Sequence, residues 1–192
     1  MEHGWIWDEV SAGEWIFGLL GHSVRRLDVP VFARLYRGWQ DSDVEAVRRW
    51  NARLYASREA AELQQEDRHL GTALARLLVD LGLDDAAPWR SAPRACFATL
   101  FSLAAVRWEI PLPEAATGYA WAWTENQITA ATRLIPLGQT ASQRLLVAAG
   151  PAIVAAVANG LTRADEEVGA AAPGLALAGA MHENQYSRLF RS

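Results

Sequence analysis

The 192-residue chain contains no lysine: all 18 basic residues are arginine. A P-loop needs the lysine of its GK[ST] ending to reach the phosphates, so that motif has no candidate here. Schiff-base chemistry on a lysine amine is excluded for the same reason. The single cysteine, Cys96, can form neither an intrachain disulfide nor a cysteine-based zinc cluster. Glycine-rich phosphate loops are also missing, since Gly118, Gly138 and Gly150 stand alone. A net charge of -4 leaves no electrostatic footprint for nucleic acid.

Long apolar runs are scarce too. The longest uncharged stretch, Leu145 to Thr162, touches the lower length limit of a membrane span. It is mostly Ala and Val and carries Gly150, Pro151, Asn159 and Gly160, so it reads as a packed helix rather than a membrane segment. Met1 to Val10 lacks the basic-then-apolar order of a signal peptide. The low cysteine content suits a reducing, cytoplasmic setting.

Helical periodicity dominates what is present. Ser11 with Glu14 makes an S-x-x-E capping pattern ahead of Trp15, Ile16, Leu19 and Leu20. Pro30 is expected to break that run and to start the next helix, to about Trp39. Asp41, Ser42 and Asp43 mark another N-terminus, before Val44, Val47, Trp50, Leu54 and Tyr55. An amphipathic pattern extends from Ser57 to Leu81, with Gly82 as its expected C-terminal cap. Asp84 to Ala92 reads as a loop. A helix is expected from Pro93 to about Trp108, another after Pro111 and Pro113 to about Leu134, and a third from Thr140 to about Asn159, kinked or broken near Pro151. A last helix is expected over about Leu175 to Tyr186. No segment alternates with period two, so no strand is expected. The sum is an all-α fold, a compact single-domain bundle of about eight helices over 1–186, with a short tail over 187–192.

Catalytic equipment is thin. His3, His22, His69 and His182 form no metal-binding spacing, and no metal or cofactor is expected. His182 beside Glu183 leaves one enzymatic alternative, a small helical enzyme using the two as an acid-base pair. Cys96 lies in an apolar run and reads as a buried, inert thiol. The carboxylates Glu59, Glu62, Glu66 and Asp67 alternate with Arg58 and Arg68, as on an ion-paired helix face. Trp121 and Trp123 are two apart, so they cannot share one helix face: one is expected in the core, and the other either covers a neighbouring groove or anchors an interface. The C-terminus is unusual for a chain end: Tyr186, Leu189 and Phe190 are interleaved with Arg188 and Arg191, a composition that either folds back onto the chain's own surface or serves as a protein interface.

Three stretches carry a family resemblance. They are Glu125-Asn126-Gln127 leading to Pro136-Leu-Gly-Gln139-Thr140-Ala-Ser-Gln143-Arg144-Leu-Leu146, then His182-Glu-Asn-Gln185-Tyr186-Ser187-Arg188-Leu189-Phe190-Arg-Ser192, and Ser57-Arg58-Glu59-Ala-Ala-Glu62-Leu63. Together they resemble the UreF family of urease accessory proteins, over the stretch from about Trp50 to Ser192. The resemblance implies an all-helical, cytoplasmic homodimer that is not an enzyme. It implies an adaptor or chaperone joining UreD/UreH, the GTPase UreG and apo-urease during nickel metallocentre assembly, and modulating the GTPase step. It places the UreD/UreH contact on Gln185, Tyr186, Ser187, Arg188, Leu189 and Phe190, and a UreG-side contact on Arg58, Glu59 and Glu62. Glu125, Asn126, Gln127, Gln139, Thr140, Gln143 and Arg144 are its motif residues, with structural or dimer roles. Family members open on a segment like LPVGGFSxSxGLE. This sequence starts where that segment ends, so it reads as an N-terminally shortened member, with Ala164-Asp-Glu-Glu167 at the family's Asp-rich turn and Asn184 in place of its usual Thr.

Overall fold

The computed structural model describes residues 6–58 and 60–169. Among them are seven α-helices and no strand: α1 Glu9–Leu19, α2 Val29–Gln40, α3 Val44–Ala56, α4 Ala61–Asp80, α5 Phe97–Arg107, α6 Leu112–Leu134 and α7 Gln139–Leu161. The expected helix near 175–186 lies outside the described residues. The described residues cluster into two compact units, one of 6–33 with 111–169 and the other of 34–58 with 60–110.

In the first unit α6 and α7 pack along each other, joined by the short turn at 135–138, and α1 lies against both. Ala12, Ile16, Ile128, Ala131, Ile135 and Leu145 form a buried cluster, covered by Trp15, Phe17, Trp123 and Leu146. α1 starts earlier than the S-x-x-E pattern suggests. Asp8 is the N-cap: its Oδ1 accepts the Ser11 N–H at 2.9 Å while the Ser11 Oγ accepts the Asp8 N–H at 3.1 Å. Both orphan donors are thereby satisfied one turn upstream, and Ser11 is the third helical residue rather than the cap.

Pro30 does not break the chain. Leu20–Asp28 is a π-helix, and it runs straight into α2. Proline has no N–H for the Arg26 carbonyl one α-turn back. That carbonyl accepts the Gly169 N–H instead, at 3.1 Å. Gly160 of α7 fits against the same place: a Cβ there would stand 2.7 Å from Val29 Cγ1 and 3.0 Å from the Arg25 carbonyl oxygen. Asp28 is buried and accepts the Tyr119 hydroxyl at 3.2 Å, and Tyr119 stacks on Phe32 with ring centroids 5.1 Å apart. Pro151 does not break α7 either. The carbonyl it leaves without a donor belongs to Val147, which is 77% exposed, so water can take it.

In the second unit α4 packs on α5 and on a 3-10 turn at Asp84–Trp89, and α3 touches both helices. The Trp39 indole N–H donates to the Thr99 carbonyl at 2.9 Å. α4 begins at Ala61, four residues later than its sequence pattern, and α5 at Phe97 rather than at Pro93. The α5 start is set by side chains from other helices. Asp67 of α4 accepts the Phe97 N–H at 2.7 Å, and Asn51 of α3 accepts the Cys96 N–H at 3.0 Å and the Thr99 hydroxyl at 2.7 Å. The Asn51 amide donates to the Arg94 carbonyl at 2.6 Å. Cys96 is buried, as expected, with its thiol 3.6 Å from the Asn51 carbonyl.

Candidate partner-binding surfaces

The motif residues of the first unit lie on the second half of α6 and the first turns of α7. Glu125 and Asn126 are exposed on α6, and Gln127 is half-buried. Gln127 lines an apolar cleft of about 140 Å³ with Ile6, Trp15, Leu134 and Ile135. Gln139, Thr140 and Gln143 are exposed on the first turns of α7. Arg144 reaches α1: its Nε donates to Glu9 Oε1 at 2.9 Å and its Nη2 to Oε2. That two-pronged hydrogen bond holds the Glu9 carboxyl below its usual range and pushes the Arg144 guanidinium higher. Arg144 therefore fastens the start of α1 to α7.

α7 is divided lengthwise. Ala141, Leu145, Ala149, Ile153, Ala156, Val157 and Gly160 are buried. On the other side Val147 and Val154 are 77% and 63% exposed, beside exposed Pro151, Ala148, Ala155 and Ala158. No charge interrupts this face between Arg144 and Arg163. The helix is long and apolar enough to cross a membrane. Its inner face is nevertheless packed on α6 and the π-helical segment, which is how a core helix of a folded unit also passes that test. A continuous exposed apolar face is what a covering protein surface requires. Of the paired tryptophans, Trp123 packs onto the buried cluster and Trp121 is 42% exposed.

In the second unit Arg58 is not on a helix. It lies in the α3–α4 connection, largely buried, and its Nε donates to Asp67 Oδ2 at 2.9 Å. The expected exposed helical position is thus not what Arg58 occupies; the same Asp67 carboxylate that starts α5 holds it in place. Glu62 is half-buried in the first turn of α4, and Glu59 lies outside the described residues. So do Gln185 to Phe190 and the His182–Glu183 pair. Among the described residues no three His, Cys, Asp or Glu side chains are grouped to hold a metal ion. His22 is exposed, with Nδ1 2.9 Å from the Gly18 carbonyl, and His69 is exposed on α4.

Asn51 has no place among the sequence candidates, and Asp67, expected on an ion-paired outer helix face, is buried instead. The signal was available: each is a polar residue set into an apolar helical line, Asn51 between Val47 and Leu54, and Asp67 ahead of Gly71, Ala75 and Leu78. Buried polar groups in such places are hydrogen-bonded, and here they build the α5 start.

Comparison with known proteins agrees with the motif residues. The UreF family model matches residues 6–150. The urease accessory protein UreF of Alkalilimnicola ehrlichii is 50% identical over 192 residues, spanning all of this chain and 84% of its own. The proteins of the same name from Teredinibacter turnerae and Chromohalobacter salexigens are 47% and 45% identical, again across the whole chain and over 86% and 83% of their own lengths. All three are named as accessory to an enzyme and not as enzymes. An all-helical chain with these motifs, matched along its full length by such relatives, belongs to the UreF family of urease accessory proteins.

Proposed function

We propose that this protein is an adaptor in nickel metallocentre assembly, binding UreD/UreH, the GTPase UreG and apo-urease in the cytoplasm and modulating the GTPase step. It works as a homodimer. The observation that carries the reading is the uncharged, exposed face of α7 in a chain of this family: Val147, Pro151, Val154 and Ala158 make one continuous apolar strip on its open side. The second copy is the occupant proposed for that face, with Gln139, Thr140 and Gln143 at its rim. The adaptor uses no metal and no cofactor of its own.

The C-terminal residues Gln185, Tyr186, Ser187, Arg188, Leu189 and Phe190 are the proposed UreD/UreH contact. Their support is chemical: a tyrosine and an arginine are side chains that concentrate binding energy, and Leu189 and Phe190 add apolar area beside them. Glu59 and Glu62, before and in the first turn of α4, are assigned to the UreG side. Arg58 acts there through Asp67, holding the α3–α4 connection in shape. The test is co-purification with UreD/UreH of the intact chain and of one ending at Tyr186. Loss of UreD/UreH from the shortened chain, with helicity unchanged, is expected. Equal recovery contradicts the tail contact.

A further inference from the structure

α4 turns one line of residues to its own unit. Asp67, Gly71, Ala75 and Leu78 are buried. Its leucines follow a second line. Leu63, Leu70, Leu74, Leu77 and Leu81 are spaced seven, four, three and four apart, the a/d rhythm of a coiled-coil seam. At the pitch of an α-helix this line lies roughly 80–90° around the axis from the buried one. Leu70, Leu77 and Leu81 are 42%, 52% and 57% exposed, while Leu63 and Leu74 are half-buried at the edge. Single exposed leucines are ordinary, but a heptad line of them along one helix is a helix-binding surface. The seam has two different borders. One is the unit's own core. The other carries Glu66 and Asp80, both exposed, one heptad above and below Ala73.

We propose that the α4 leucine line is the docking seam for a helix of one of the assembly partners. That helix presents apolar a/d residues to Leu70, Leu74, Leu77 and Leu81 and arginine or lysine to Glu66 and Asp80. The proposal rests on the adaptor reading above and names a surface for it. Charge decides against a second copy on this seam. Two α4 helices paired antiparallel about Ala73 would set Glu66 of each against Asp80 of the other. Paired in parallel, they would set this acidic flank against the other copy's core-facing flank, where Gly71 and Leu78 offer it no cation. Neither arrangement gives the acidic flank an opposite charge. A basic flank on a different chain turns both positions favourable and adds salt-dependent steering.

The experiment immobilises the full chain and offers purified UreD/UreH, UreG and apo-urease, each separately and together. It compares wild type with Leu70→Glu/Leu77→Glu and with Glu66→Arg/Asp80→Arg. Both double variants are expected to weaken one partner's apparent Kd by tenfold or more, with dimer and helicity unchanged. The loss in the Glu66→Arg/Asp80→Arg variant should shrink as salt rises. Undiminished binding of every partner to both variants overturns the seam. A dimer that dissociates in Leu70→Glu/Leu77→Glu overturns it too, because the occupant is then a second copy. If the leucine variant loses helicity, the charge variant alone decides, since its two sites are exposed and away from the core. Wild type that recovers none of the three partners overturns the adaptor reading itself, an outcome distinct from failure of the seam.

Discussion

At the scale of single residues, the helix ends show how much local chemistry this chain uses. α2, α4 and α5 all close with the same pair of hydrogen bonds, in which the two residues past the cap donate back to carbonyls of the last turn. The residue that turns over must adopt a left-handed backbone. At the end of α4 it is Gly82, with φ of 86°, and the sequence signals it plainly. At the ends of α2 and α5 it is Ser42 and Glu109, with φ of 58° and 57°. A side chain in that conformation costs roughly 1–2 kcal/mol, against which glycine loses roughly 0.5–1 kcal/mol through its freer unfolded state. Glu109 is exposed, so its side chain contributes little packing. Glu109→Gly should therefore stabilise the protein by about 0.5–1 kcal/mol. Thermal unfolding by circular dichroism checks it, with a midpoint about 1–3 °C higher expected. A midpoint that falls would show that the Glu109 side chain contributes an interaction worth more than the strain.

At the scale of elements, helices were legible wherever their ends are made from neighbours in sequence. Gly82, Pro111 and Asp43 mark their boundaries, and the structure puts helix ends beside each. Boundaries made by distant residues were not legible. The α5 start depends on Asp67 and Asn51, which sit 30 and 45 positions away from the amides they bind, so Pro93 looked like the better signal. Continuity through Pro30 depends on Gly169, which no local rule reaches. The motif residues were readable as a group, but the Glu9 partner of Arg144 lies 135 positions away. The α4 leucines were visible as a periodic line, yet leucine at helical spacing reads as core, and only the structure separates the exposed line from the buried one. Gly71 is the position where the α4–α5 fit is tightest. A Cβ there would stand 2.2 Å from the Ala95 carbonyl oxygen and 2.9 Å from the Cys96 carbonyl carbon. These are backbone atoms and cannot swing aside. Gly71→Ala should force α4 away from 95–96 and stretch the Asp67 bond to Phe97, costing about 3 kcal/mol or more in denaturant unfolding. Gly18→Ala is the matched control: it has open space, and should gain up to about 1 kcal/mol of helix propensity. Equal effects at the two sites would show that the close approach at Gly71 is not what the fold depends on.

At the scale of the whole molecule, the question is how a member of a family of accessory proteins can serve an enzyme. Its described surface offers two apolar helix faces of different character, and they belong to different units. The α7 face is uncharged along its length, with small residues between its valines, and nothing on it distinguishes one copy from another. A surface of that kind suits self-association, where both sides are the same and flat packing of small side chains is enough. The α4 seam has larger side chains and an acidic border, which suits a partner selected by charge. A dimer built on α7 would leave each copy free to take other proteins elsewhere, which is what an adaptor needs. Val147→Glu/Val154→Glu tests this division. Both side chains are mostly in water already, so the monomer should fold with unchanged helicity, since surface substitutions away from packed features usually cost within about 0.5 kcal/mol. Two carboxylates buried in a self-contact would each lack a partner, and the dimer should be lost. Sedimentation velocity is expected to give a dimer for the parent chain and a monomer for the variant, while Leu70→Glu/Leu77→Glu remains a dimer. A variant that stays dimeric with both glutamates in place would move the self-contact off α7, leaving that face for one of the other partners.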